Sequence, residues 1–540
     1  MKKAIICAVL FVAMQGMAFA GGRAEVERPD RVTVVIGEPN AESFLFWKSH
    51  NAEYLDMMIE PLIGTDPVTG ELSDSRIVES WEHNEDFTEW TLNLRQDVEF
   101  HNDWGGATAE DVVHSFELHT GGDAIQVGVD QIRDGNASVI DDYTVRVEFP
   151  TPRRDFAFNI AGRSTIHLYS KAQYEAGGIE AYENEPTGTG PFQYVSHEPG
   201  QVLYRRVEDH YSGTTAGFEE LELRFVAEPS TRYAMLQTGE ADIAELPREL
   251  HQDARNRGFE FVSSEQPAMQ TTVTMNGLFL TSEEQEENPE LYEKASSLPW
   301  ADVRIREALN RAIDRHEMLD ILFDARGADL VVKYAMHEPH EGFEPSLVDR
   351  FPDEYGYDPD RARDLMQDAG YPDDFDDPTI PLIRTQIAGQ PELDVQTDLL
   401  YEYLTAVGFD ARIVEMDSTT MFARGRDRES FYLNPTRNAP IRPTSAAITI
   451  FHTRAGTPGR GYETDRGTGL VRQIENTYDP QERDSLIREL FTYLFESYED
   501  IPLFEVYTKM AINPDTVSEW QFAGDTTYGF GHWHLIQPAR

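Results

Sequence analysis

The stretch Ser80–Glu117, SWEHNEDFTEWTLNLRQDVEFHNDWGGATAEDVVHSFE, decides how the rest of the chain is read. Trp90, Leu92 and Leu94 alternate with Thr91 and Asn93, the period of a half-buried strand, and Val98–Phe100 predicts a second short strand. The loop 101–106 then delivers Thr108, whose hydroxyl suits a helix N-cap. Asp111 stands three residues later in a capping-box position, and Glu110 adds favourable first-turn charge. A helix over 109–119 follows, with Val112, Val113 and Phe116 on its apolar face. Strand, strand, loop and capped helix in under forty residues make a folding unit, and every residue in it has an adequate folding role.

These residues also carry a resemblance. Trp81, Asp86, Thr88, Leu92–Arg95, Val98, Phe100, His101, Thr108–Val113, Ser115 and Phe116 fall in the order and nearly the spacing of the family 5 extracytoplasmic solute-binding proteins. That is the dipeptide, oligopeptide and nickel binding class that serves ABC importers. Further stretches are similar to the same family. They are Gly188-Thr189-Gly190-Pro191-Phe192, the run TRYAMLQTGEADI at 231–243, Asp302-Val303-Arg304 through Asp314-Arg315, and Asp358-Pro359 through Gly370-Tyr371.

The resemblance implies an α/β, two-lobed periplasmic-binding-protein-like fold with mixed sheets flanked by helices. The first lobe would be large and discontinuous, 31–265 plus 510–540, and would hold an extra subdomain at about 76–186. The second lobe would be 266–509. It further implies capture of a solute, not its conversion, with transfer to the transmembrane subunits of an ABC permease, by a monomer that needs no cofactor.

Length agrees with more than one core, because 540 residues exceed what a single core usually holds. Residues 1–20 read as a signal peptide: Lys2 and Lys3, an apolar run from Ala4 to Ala13, then Ala18-Phe19-Ala20 before Gly21. Residues 21–30 read as a linker. Gln15 and Gly16 interrupt the apolar run before it reaches membrane-spanning length. The expected location is the periplasm. Cys7, the only cysteine, sits inside the apolar run and is poorly placed for lipid attachment. Without it the chain has no disulfide, thiol nucleophile or thiolate metal site.

Lys and Arg number 46 against 97 Asp and Glu, a formal charge of −51. Such a chain repels phosphate backbones and anionic lipid, so nucleic acid is excluded as a partner. Adaptation to high salt is the simplest account of the charge.

Val32–Ile36 predicts a buried first strand ended by the turn 37–40, and ligands collect beyond such strand ends in α/β sheets. Glu38, Asn40, Phe46 and Trp47 are therefore cleft candidates, with packing against the next helix an equal reading for the two aromatics. Residues 51–60 read as a helix. Thr187–Gly190 lacks a Gly-Lys-Ser/Thr ending and precedes a strand pattern, so it is no phosphate loop. Ser230 is expected to cap a helix over 231–238, and 282–289 reads as an acidic surface loop. In 299–318 the apolar positions recur at helical spacing, and Arg304, Arg306 and Asp314 read as charges on its outer, solvated face.

Met269 and Asn276, on the segment that should cross to the second lobe, join the candidates. Peptide-binding members carry an aspartate near a tryptophan in that lobe, and it is not evident in Glu429–Asn438. Tyr432, Asn434 and Arg437 stand there instead and suit hydroxyls, a carboxylate or a stacked ring, which makes an oligosaccharide an equal contender with a peptide. His532 and His534, on one side of a possible strand, fall short of a metal site for want of a third ligand. Asp373, Asp374, Asp376 and Asp377 read as a solvated loop. A secreted hydrolase acting on glycans or peptides is the competing class, and a binding protein that serves a sensor is another alternative.

Overall fold

The computed structural model describes residues 31–37, 42–48, 54–122, 124, 129, 132–161, 166–323, 328–336, 341–385, 392–438, 462–477, 479–524 and 531–539. Glu38 and Asn40 lie outside the described residues, as do residues 1–30, with the signal peptide and linker expected there, and the side chain of Arg437.

Two large sheets organise the molecule. The first has seven strands in the order Glu260–Ser263, Lys509–Ile512, Ile243–Ala244, Arg31–Ile36, Glu220–Phe225, Gln201–Arg206 and Phe192–Glu198. Its central strand Arg31–Ile36 is buried at five of six positions and runs parallel to both neighbours. A β-branched run covered on both faces is the expected occupant of that place. The second sheet has six strands in the order Ala328–Leu330, Asp500–Val506, Met269–Met275, Leu433–Asn438, Thr379–Arg384 and Asp410–Glu415. Met269–Met275 is buried throughout and antiparallel to both neighbours. Thr379–Arg384 and Asp410–Glu415 are parallel, joined through the helix Glu392–Val407. Each sheet has its own hydrophobic core.

A four-stranded sheet, ordered Val78–His83, Glu89–Leu94, Thr144–Glu148 and Asn136–Asp141, has a further core of its own. The helix Ala109–Thr120 packs on it, and the Asp111 carboxylate accepts from the Thr108 N–H at 2.9 Å and from its hydroxyl at 3.0 Å. The local sequence is enough to start this helix, since cap and apolar period coincide.

Elsewhere tertiary partners override local pattern. Val98–Phe100 forms no strand; Glu99 makes a single bridge to Gly106 as the chain folds back through the turn His101–Asp103. Of the helix expected over 51–60, the described part 54–58 is a turn. The carbonyls of Met57 and Met58 are taken by the N–H groups of Phe192 and Gly190, at 3.0 and 2.9 Å, which leaves them unavailable to a helix. Ser230 is inside the helix Pro229–Thr238, whose cap position is Glu228. Residues 282–289 lie at the surface as expected but are helical and not a loop. Thr281 caps a helix Ser282–Glu287, and Glu284 is fully buried. The 299–318 stretch divides into helices Val303–Arg311 and Arg315–Leu322, because Asp314 caps a new helix by accepting from Glu317 N–H at 3.0 Å. Arg306 is on the inner face of the first, buried at 3 % exposure. It donates to the carbonyls of Ser497, Trp300 and Ala301 at 2.7, 2.9 and 2.8 Å. Three main-chain acceptors offset the burial of its charge.

Among the described residues no helix is long and apolar enough to cross a membrane.

Candidate functional site

The chain passes between the two large sheets twice, and the two passages are bonded to each other. Ser264 N–H donates to Thr508 O at 2.9 Å, Thr508 N–H to the Ser264 hydroxyl at 3.2 Å, and Ala268 N–H to Val506 O at 2.8 Å. A C-terminal segment joins them: Glu265 and Gln266 N–H donate to Phe522 and Ala523 O at 3.0 and 2.9 Å. Two separately cored sheets joined by a narrow, paired crossing have the architecture of a hinge.

The candidate residues fall into three places. Phe46 stacks on His167 at 3.6 Å between ring centroids, and its N–H donates to the Tyr169 hydroxyl at 2.9 Å. Trp47 meets Tyr169 edge-on at 4.9 Å and is 1 % exposed. Both pack in the core of the first sheet. Met269 pairs with Val506 at the crossing and is buried in the core of the second sheet. Asn276 follows the other end of the same strand, roughly 23 Å away at about 3.3 Å per residue. Its N–H donates to Tyr432 O, and its carbonyl accepts from Trp300 Nε1, both at 3.0 Å. Asn434 stands opposite Thr274 in the neighbouring strand, and Arg437 opposite Thr271. The structure thus brings Asn276, Tyr432 and Asn434 together and sets Met269, Phe46 and Trp47 apart from them. Tyr432 and Asn434 are buried as well.

A buried polar knot was invisible in the sequence. Glu60, 1 % exposed, accepts from the Tyr211 hydroxyl at 2.7 Å and the Thr189 hydroxyl at 2.9 Å, with Arg76 Nη1 at 3.2 Å. Burial pushes its carboxyl up, but Arg76, His210 and Tyr211 outweigh that and hold it at about 2. Nearby, His167 bonds Asp56 at 3.1 Å and His101 bonds Gly190 O at 2.8 Å. A carboxylate locked as an ion by four neighbours suits cement better than proton transfer. The glycines beside it are required by space. A Cβ on Gly188 would stand 2.0 Å from Met58 O, and one on Gly190 2.3 Å from Met57 O. The glycine run is therefore a close crossing of two chain segments.

At the C-terminus, Trp533–Leu535 is a single helical turn and not a strand. The rings of His532 and His534 are 6.0 Å apart, and burial drives His534 well below the usual imidazole range. Among the described residues no cluster of three or more His, Cys, Asp or Glu is placed to hold a metal.

The model of the bacterial extracellular solute-binding proteins, family 5 Middle, matches residues 75–454. The chain belongs to this family. Among its relatives, Heme-binding protein A of Haemophilus influenzae is 27% identical over 323 residues, 56% of this chain and 54% of that protein. The match therefore spans little more than half of that relative. The dipeptide-binding protein of Escherichia coli is 24% identical over 394 residues, 69% of this chain and 68% of the relative. The structure of HbpA2 from Haemophilus parasuis superposes with a TM-score of 0.73 at 20% identity, covering 94% of this chain and 99% of that one. The two-lobed architecture of this family 5 chain is shared with that protein. The Haemophilus influenzae and Escherichia coli relatives are named as binding proteins, and the family is described as extracellular.

Proposed function

We propose that this family 5 protein is the substrate-binding component of an ABC importer. It would capture a solute of the peptide or oligosaccharide class between lobes 31–265 plus 510–540 and 266–509, and deliver it to a membrane permease. The observation that carries this reading is the paired crossing at Ser264–Ala268 and Val506–Thr508, which joins two independently cored sheets. A ligand that touches both bodies stabilises the closed form, since only differential affinity shifts such an equilibrium. In this reading the chain acts as a periplasmic monomer after removal of residues 1–20, holds no cofactor and converts nothing.

Recognition is assigned to Glu38 and Asn40 beyond the first strand and to Asn276, Tyr432, Asn434 and Arg437 in the second lobe; Phe46, Trp47 and Met269, packed in the cores away from that cluster, are left out of it. The test is a thermal-shift panel at high salt with peptides, oligosaccharides, nickel and haem. A stabilising solute whose effect is lost in Asn434→Ala, Arg437→Ala and Tyr432→Ala supports the assignment. A solute that binds all three variants as it binds the parent overturns it, and turnover of a peptide or glycan would overturn the transport reading itself.

A further inference from the structure

Two arginines reach across to the body of the second sheet, Arg154 from the four-stranded unit and Arg248 from the first sheet, and both use the same chemistry. Arg154 precedes the helix Phe156–Asn159, whose Phe156 is in the core of the four-stranded sheet. Its Nη2 donates to Thr477 O at 3.1 Å. Thr477 is the C-cap of the helix Asp465–Asn476, which packs in the core of the second sheet through Leu470, Val471 and Ile474. Arg248 follows the Ile243–Ala244 strand of the first sheet, between Leu246 and Leu250 of its outer core. Its Nη1 donates to Leu322 O at 2.7 Å. Leu322 is the last residue of the helix Arg315–Leu322, again in the core of the second sheet.

The acceptors are of one kind. The last carbonyls of a helix have no partner inside it and stand at the negative end of its dipole, where a cation is favoured. Each guanidinium also rests on an aromatic face: Arg154 on Phe87 of its own side at 4.3 Å, Arg248 on Phe323 of the opposite side at 4.2 Å. Stacking fixes the planar fork in direction, so less freedom is lost when the hydrogen bond forms. Each of these two hydrogen bonds ends on a main-chain carbonyl. In so acidic a chain that matters, because the two bodies repel one another and a cation-to-carbonyl contact adds attraction without adding negative charge. The Arg154 contact has charged neighbours as well: Arg154 and Asp155 act electrostatically on Glu341, which contacts Arg483 in the second body.

We propose that Arg154 and Arg248 are two latches that hold the lobes together by gripping helix C-termini of the opposite lobe, and so bias the protein towards closure before any solute binds. The proposal rests on the two-lobed reading of the fold and not on the identity of the solute. A charge-assisted hydrogen bond contributes enough to move an open-to-closed ratio roughly tenfold, so the double variant should move it about a hundredfold.

The test reads interlobe distance in the full chain without solute. Cys7→Ser removes the only native thiol, and Glu85→Cys with Gln473→Cys, both at exposed positions, carry spin labels on the two sides of the Arg154 contact. Pulsed dipolar distances are compared for the parent, Arg154→Ala, Arg248→Ala, the double variant and Arg154→Lys with Arg248→Lys. A longer-distance population that grows from single to double alanine variant, and is partly reversed by lysine, is the expected result. Superimposed distributions for parent and double alanine variant overturn the latches. A unimodal circular dichroism melt for each variant establishes that it is folded. Because no solute enters the measurement, failure to find one would sink the transport reading and leave the latches standing, while superimposed distributions in a protein that does bind a solute would do the reverse.

Discussion

Arg428 grips Glu463 with both arms of its guanidinium, Nη1 to Oε1 at 3.0 Å and Nη2 to Oε2 at 2.9 Å, and the same Nη2 reaches the buried Glu284 at 3.0 Å. The guanidinium also lies 3.9 Å over the Phe279 ring. Two carboxylates with exposures of 0 and 4 % thus share one cation. Removing that cation leaves two buried carboxylates without the charge they share, although Glu284 still accepts from the Asn288 amide at 2.7 Å. Arg428→Met is expected to lose about 3–5 kcal/mol in urea unfolding, and adding Glu284→Gln with Glu463→Gln should recover a large part of it. A single variant as stable as the parent would show that solvent reaches these carboxylates.

The glycine crossing makes a sharper demand. Gly188→Ala places a methyl against a main-chain oxygen that is itself hydrogen-bonded, so backbone must shift. The expected loss is at least about 2 kcal/mol, and Gly239→Ala, where no atom lies within 4 Å and the backbone is left-handed at φ +75°, should lose less, roughly 1 kcal/mol. Equal midpoints for the two would overturn the packing account.

Acid should unfold the protein over a predictable window. Burial holds His101 and His251 at about 4, and His119 and His167 at about 3, so all four are neutral when folded. Unfolded histidine takes its proton near 6.5. Between roughly pH 6.5 and pH 3–4 the unfolded chain binds more protons, so stability falls as pH falls, by up to about 1.4 kcal/mol per unit for each histidine. Glu60, at about 2, extends the loss below pH 4.5. Urea midpoints that stay level from pH 7 to pH 5 would contradict this.

Salt should act in the opposite sense. With a formal charge of −51, self-repulsion within the folded chain is relieved as ions screen it over a few ångströms. Urea midpoints are expected to rise from low to molar salt; level or falling midpoints would sink the salt-adaptation reading.

What could be read from the sequence divides along a physical line. The helix Ala109–Thr120 was legible because its Thr108 and Asp111 cap, first turn and apolar period are neighbours in the chain. Arg306 was misread because a charged residue on an amphipathic helix looks solvated until the carbonyl of Ser497, 191 residues away, is placed beside it. Glu284 and its partner Arg428, 144 residues apart, were hidden in the same way. The candidate cleft was the least legible part. Asn276 and Tyr432 meet through a main-chain hydrogen bond that no side-chain pattern records, and nothing in the spacing separated them from Met269 at the far end of one strand.

One consequence of the first sheet's strand order concerns the newly made chain. Lys509–Ile512 is an interior strand, between Glu260–Ser263 and Ile243–Ala244. Among the described residues Glu260–Ser263 has no other neighbour in the sheet, so this pairing cannot form until residue 512 has been synthesised. The second sheet, whose last strand ends at Val506, needs nothing beyond that point. The N-terminal part must therefore wait for almost the whole polypeptide before its sheet can close, a long-range dependence that slows folding. In the exported chain that the proposed function requires, such a delay would keep the first lobe unfolded the longest.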